Sequence, residues 1–446
     1  MLLVRKIILR RPVSSLAAST SICVLGFANY LEWSANIDRS SSTADAKANA
    51  TSIPRCHYDP HSIALYWEQR PISVVKRLVK IVAELGPVAC DYVMDFQLKP
   101  WLRRSLAVAT VEEDVKQDRI RRHELESRLS SKLRSSLTRL GPTFIKVGQQ
   151  LSIRPDIIPP TAIYELQKLC DSVPYFNDEI AMKVLAEELL YSNFGRRDAV
   201  PLSVDDQKKV ENTILQVFED IPTRVASASL GQVYHAKLRN TNKDDDNPND
   251  HDRTSHQVAI KIQRPDILET VTLDLFLLVA YGKLVDKLFS IVTNQIPYHE
   301  MFLNAFAAGA FMELNYINEA KNQTFFRNEL HSRFHVNSNA NKYTSSRSRL
   351  LQLFRNRRNQ HCTEKVIVPK VYNEYTTHRI LVSEWIDGKP LARAPPEQIR
   401  KLIPIGVELF LCQLLEIGRF HSDPHPGKFL CPLSSQYCLK GQIFMC

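Results

Sequence analysis

The nine cysteines, at positions 23, 56, 90, 170, 362, 412, 431, 438 and 446, include no pair at CxxC spacing. Neither a disulfide framework nor a zinc site is supported, and free thiols in a reducing compartment are expected. Long apolar runs are also missing. Ile22 to Leu31 is too short to span a bilayer, and the most apolar internal stretch, Leu273 to Thr293, carries Asp274, Lys283, Asp286 and Lys287. That stretch reads as a buried amphipathic helix, so no transmembrane segment is expected. Acidic side chains are absent from the first 31 residues, which hold Arg5, Lys6, Arg10, Arg11 and several serines. The composition predicts an organelle transit peptide over 1–33, mitochondrial by its basic amphipathic start, with a plastid as the alternative.

What remains is a globular chain of 446 residues with 44% apolar content, long enough for roughly two to three domains. The net charge of +10 is spread over several segments and reads as solvated surface. The basic insert 331–363 offers only Phe334, Tyr343 and Phe354 as aromatics, too few for stacked bases, so no nucleic-acid partner is expected. Residues 34–56 have linker composition. Helical spacing dominates 57–200: one helix after Arg70-Pro71 is expected to stop at Gly86-Pro87, and another runs over 105–140 to a break at Leu140-Gly-Pro142. Strand patterns occupy Thr223 to Leu238 and Gln257 to Gln263, with the polar insert 240–256 between them. Helices are expected over 267–289 and 301–330, strands over 366–371 and 379–385, and a final helix over Pro396 to Gly418.

Four blocks carry the chemistry. Val258-Ala-Ile-Lys261 sets a cation on a strand, where it can meet phosphate oxygens and a helix carboxylate. Alone this is weak, since most strand-end lysines are surface charges. It gains weight from the preceding Ala226-Ser-Ala-Ser-Leu-Gly-Gln-Val233, whose small side chains let backbone amides approach phosphates. Glu313-Leu-Asn-Tyr-Ile-Asn-Glu319 supplies two glutamates on a helical stretch, of which one can partner the lysine. In His421-Ser-Asp-Pro-His-Pro-Gly427, Asp423 can accept a hydroxyl proton or orient a metal-bound phosphate. The prolines exclude the helix that a His421/His425 metal pair needs. The strand and helix order predicts an α+β, protein-kinase-like two-lobed fold. It comprises a helical extension (57–200), an N-lobe (201–390) and an incomplete C-lobe (391–446).

These blocks, with Leu140-Gly-Pro-Thr-Phe-Ile-Lys146-Val-Gly148-Gln149, resemble the UbiB/aarF-type atypical kinases. The resemblance implies a kinase or ATPase that uses ATP and Mg²⁺ and supports prenyl-quinone or lipid metabolism, peripheral to a membrane. It implies catalytic roles for Asp423, Lys261 and Glu319, and nucleotide binding by Ala226, Ser227, Ala228, Ser229, Gly231, Lys261, Glu384 and Ile386. A regulatory lid is implied from Lys146, Gly148, Gln149 and Glu313, the last in the family's Glu-x-Asp element. Membrane lipid and quinone-biosynthesis proteins are the implied partners beside the nucleotide. The wording Arg154-Pro-Asp-Ile-Ile-Pro-Pro160 resembles cyanobacterial and plastid members. Three departures put Mg²⁺ in doubt: Asn315 stands at the Asp of Glu-x-Asp, Lys428 stands where the family has a metal-holding asparagine, and Cys431 to Cys446 contains no Asp or Glu. The C-lobe is expected to be truncated, and the alternative is a catalytically inactive pseudokinase scaffold or a lipid-binding partner of a biosynthetic complex.

Overall fold

The computed structural model describes residues 53, 57–99, 112–156, 158–170, 174–194, 207–239, 256–292, 296–335, 366–420, 429–432 and 443–445. In chain order the helices before the first strand are α1 (Pro60–Glu68), α2 (Pro71–Tyr92), α3 (Glu112–Leu140), α4 (Pro142–Leu151), α5 (Pro160–Gln167), α6 (Asp178–Phe194) and α7 (Gln207–Val217). Then come β1 (Thr223–Ser227), β2 (Gly231–Lys237), β3 (Gln257–Gln263), α8 (Ile267–Val292), α9 (His299–Met312) and α10 (Tyr316–His335). The chain continues with β4 (Val366–Ile367), β5 (Ile380–Glu384), β6 (Gly388–Pro390), α11 (Pro396–Cys412), β7 (Phe429–Pro432) and β8 (Ile443–Met445). The transit-peptide and linker segments, the catalytic-type loop with Asp423, and nearly all of both polar inserts lie outside the described residues.

The elements form two compact units that interleave in sequence: one takes the chain up to Pro174 plus Asp266–Leu314, the other Tyr175–Pro265 plus Asn315 onward. The expected boundary near 200 is therefore not where the chain divides. Helices α6 and α7 belong with the strands, and α8 and α9 with the N-terminal helices.

The first unit is helical. Asp59 caps α1 by accepting from the amides of His61 and Ser62 at 3.1 and 3.3 Å, and Pro60 supplies a pre-set first turn. Helix α2 does not stop at Gly86-Pro87 but runs through Pro87 to Tyr92. The proline removes one backbone donor, and the chain here is exposed enough for water to satisfy the carbonyl it leaves. The break between α3 and α4 falls where expected: Gly141 takes φ 100°, a region that favours glycine, and Pro142 opens α4. Leu137, Leu140, Phe144, Ile145, Leu166 and Leu169 form the core there. Arg77 on α2 grips the fully buried Asp274 of α8 through two hydrogen bonds of 2.6 and 2.8 Å, and donates a third, of 2.6 Å, to the Leu140 carbonyl.

The second unit is built on an antiparallel sheet in the order β1-β2-β3-β5. The expected strand over Thr223 to Leu238 is a hairpin of two. Side chains alternate across a strand, so Val258, Ile260 and Ile262 of β3 all face one way. With Ile380 and Val382 of β5 they pack fully buried with Val184, Leu185 and Leu189 of α6 and Ile214 of α7. Tyr234 of β2 donates to Asp178 at 2.7 Å, and burial pushes its phenol above the ordinary tyrosine value, so it stays a neutral donor. Of a second sheet, in the order β4-β8-β7-β6, the sequence reading gives only β4, as the start of the strand expected over 366–371, and none of β6, β7 and β8. Its strands are two to four residues long, too short for periodicity to reveal. The expected helix over 301–330 is two helices, α9 and α10, separated at Glu313–Asn315.

Candidate nucleotide site

The alternation that buries Val258, Ile260 and Ile262 sends Lys261 to the opposite face of the sheet. Its strand neighbours in register are Val233 of β2 and Leu381 of β5. Leu381 joins Tyr316 and Ala320 of α10 and Val371 in a small buried cluster on this face. Helix α10 thereby brings Glu319, in its first turn, to the lysine. Lys261 Nζ donates to both carboxylate oxygens, at 2.7 and 2.8 Å, and lies 4.7 Å from the ring centroid of Tyr316. The pair is not sealed: the side chains keep 25% and 39% of their exposure, which leaves the ammonium within reach of a ligand.

Asn315 fixes where α10 starts. Its side-chain oxygen accepts from the Ile317 amide at 3.1 Å and faces His378 Nδ1 at 3.0 Å, and the residue is buried. That is a helix cap, and it uses the oxygen that the resemblance would assign to a metal. Among the described residues no group of three His, Cys, Asp or Glu side chains could hold a metal ion.

The small-residue loop is the turn of the β1–β2 hairpin. Ala226 and Ser227 end β1, and Gly231 begins β2 opposite Gln263. The Ala228 amide donates to the Gly231 carbonyl at 2.8 Å, so one of the amides expected to meet phosphate is already used within the turn. Arg264, directly after β3, straps this turn. Its guanidinium donates to Ser227 Oγ at 3.1 Å and to the Ala228 carbonyl at 3.4 Å, while its amide donates to the Leu230 carbonyl at 3.0 Å. Ser229 is half-buried in the same turn. Gly231 has no space for a side chain, because a Cβ there would stand 2.3 Å from the Ile262 carbonyl oxygen and 2.7 Å from the Tyr316 hydroxyl.

Glu313 does not share a helix with Glu319, and its partner is another lysine. At the end of α9 it accepts from Lys146 Nζ at 2.7 Å. Lys146 is a buried residue of α4. Gln149 Nε2 donates to the Leu169 carbonyl at 3.2 Å, and Gly148 lets α4 pack tightly, since a Cβ there would meet Leu169 Cδ1 at 2.4 Å and Leu137 Cδ1 at 3.0 Å. All these partners lie within the helical unit.

Glu384 and Ile386 flank the exit of β5. The Glu384 carboxylate accepts from the Lys370 amide at 3.0 Å and lies 3.6 Å from Arg327, so this side chain is tied down at the sheet edge. Asp423 lies outside the described residues. Sequence reasoning missed Arg264 and Tyr316. The available signal was phase: Tyr316 stands three residues before Glu319, on the same side of a helix.

Residues 196–440 match the model of the ABC1 atypical kinase-like domain. The chloroplastic protein Activity of BC1 Complex Kinase 3 of Arabidopsis thaliana is 30% identical over 393 residues, which cover 87% of this chain and 43% of that protein. An uncharacterised aarF domain-containing protein kinase of the same plant, also chloroplastic, is 32% identical over 302 residues, 68% of this chain and 33% of the relative. An uncharacterised Synechocystis protein is 29% identical over 379 residues, 84% of this chain and 43% of its own length. The chain thus spans about half or less of the length of these relatives. No helix among the described residues is long and apolar enough to cross a membrane. With the domain match covering more than half of the sequence, the chain belongs to the ABC1 atypical kinase-like family.

Proposed function

We propose that the second unit binds ATP, with Lys261 on the phosphates, and that the protein acts as an atypical kinase or ATPase. The observation that carries this reading is the two-oxygen grip of Glu319 on Lys261 from a helix across the sheet. Such a pair aims an ammonium without burying it, and an oriented cation is what phosphoryl groups require. Ala226 to Gly231 would border the phosphates, and the main chain around Glu384 and Ile386 the base. Asp423 would serve as the catalytic-loop carboxylate. Lys146, Gly148, Gln149 and Glu313 are proposed as a regulatory element.

Prenyl-quinone or other lipid metabolism is the proposed setting, in association with a membrane surface. The chloroplastic names of two relatives support a plastid over the mitochondrion that the basic start suggests. A second reading, a nucleotide-binding scaffold without phosphotransfer, is favoured by Asn315, whose oxygen caps a helix. Mg²⁺ would screen the phosphates of a bound nucleotide.

Titration of the chain with a fluorescent ATP analogue, with and without Mg²⁺, tests the proposal. Binding that is strengthened by Mg²⁺ and weakened about thirtyfold in Lys261→Ala supports a working kinase-like site. Binding indifferent to Mg²⁺ supports the scaffold. No binding by a folded chain overturns both.

A further inference from the structure

We infer that Tyr316 is a positioning residue for Lys261, its ring forming a second hold on the ammonium beside Glu319. The inference rests on the nucleotide-site reading and deepens it. Tyr316 is fully buried and occupies the first position of α10, one turn before Glu319, so the two side chains address the same point on β3. The ammonium lies 4.7 Å from the ring centroid, within the range where the negative face of an aromatic ring attracts a cation. Three features hold the ring there. The Tyr316 amide donates to the His378 carbonyl at 3.2 Å, and Asn315 caps the turn that carries the ring. The third is an omission: Gly231, where a Cβ would be 2.7 Å from the Tyr316 hydroxyl, leaves the phenol its place under the loop.

The two holds differ in kind. A carboxylate competes with phosphate for the same charge and directs the ammonium along hydrogen bonds. A ring face attracts the cation without taking its hydrogen-bond donors, so it can keep Lys261 aimed while those donors turn to a ligand. Through Gly231 the ring also touches the loop, which joins the aim of the lysine to the shape of the turn.

Reductive methylation with ¹³C-formaldehyde and NMR of the intact chain tests this, the Lys261 signal being identified by its loss in Lys261→Arg. The Lys261 methyl resonance is expected upfield of the bulk lysines because it sits over a ring. The displacement should vanish in Tyr316→Met, which fills the space without a ring, and return in Tyr316→Phe. ATP-analogue affinity should fall about tenfold in Tyr316→Met and recover most of that in Tyr316→Phe. An unshifted Lys261 resonance in the unmutated chain overturns the inference even if Tyr316→Met does not fold. So does an equal loss of shift in the Phe and Met variants. A shifted resonance in a chain that binds no nucleotide leaves the hold on Lys261 standing and removes the nucleotide reading instead.

Discussion

Each unit contains a lysine–glutamate pair at 2.7 Å, and the two pairs are built differently. Lys146 lies on a helix among core residues, with its side chain 11% exposed, and reaches a glutamate that is 42% exposed. Lys261 lies on a strand, is 25% exposed, and is held through both carboxylate oxygens with a ring alongside. The helical pair is anchored at the lysine. The sheet pair is anchored around the lysine, whose side chain keeps a quarter of its exposure. Local sequence could not separate them, because Glu313 and Glu319 are six residues apart and either looked able to serve; the break at Asn315 assigns each to its own unit.

The comparison can be broken most severely from below. Arg77→Ala should destabilise the first unit by about 3–5 kcal/mol, because it strands the Asp274 carboxylate in the core. Replacing both, Arg77→Met with Asp274→Leu, should cost much less, and denaturant midpoints of the two variants measure the difference. In the second unit Lys261→Ala should weaken ATP-analogue binding by about 2 kcal/mol, roughly thirtyfold, the scale of a charge-assisted hydrogen bond. Glu313→Gln should leave that affinity far less changed than Glu319→Gln, which sharpens the contrast directly in the same titration. Asn315→Ala removes the cap of α10 and should lower stability by about 1 kcal/mol, read as a drop in melting temperature.

The smallest effect is one of pH. Lys99, with Arg128, holds the Asp95 carboxyl below the ordinary carboxylate range, and Lys168, with Arg134, does the same for Glu165. A lowered folded value means that the stabilisation is present above the ordinary carboxylate range and is lost as pH falls through the lowered value. Lys99 and Arg128 are exposed and Lys168 and Arg134 half-buried, so each tie is worth roughly half a kcal/mol after screening. Melting curves of Asp95→Asn and Glu165→Gln should therefore differ from the parent at pH 7 and converge with it as pH falls through the lowered values.

The legible parts were those written in short-range order. The β3 lysine, the small-residue turn and the Gly141-Pro142 break each carry their reason within a few residues: alternation, small volume, a positive φ followed by a pre-set one. The kinase-like identity of the site came from the combination of motifs, not from any one. Less legible was everything that depends on distant partners. Nothing local in Arg77 announces Asp274, Arg264 resembles any arginine before a proline, and Tyr316 resembles any helix aromatic until the sheet is placed beneath it. The expected grouping and the one the contacts make differ at α6, α8 and α9 for the same reason. An amphipathic face shows that a partner exists without saying which.

The interleaving of the two units sets an order on synthesis. Arg77 and Asp274 are 197 positions apart. At about 5–20 residues per second, roughly ten to forty seconds pass on the ribosome before the arginine meets its carboxylate. For most of that interval α2 is already made and α4 follows it, yet α8 is not there to pack on them, while the hairpin and β3 emerge and can pair. The nascent chain therefore carries an unfinished helical unit and a sheet that still lacks β5, and that is the stage at which a chaperone would be needed most.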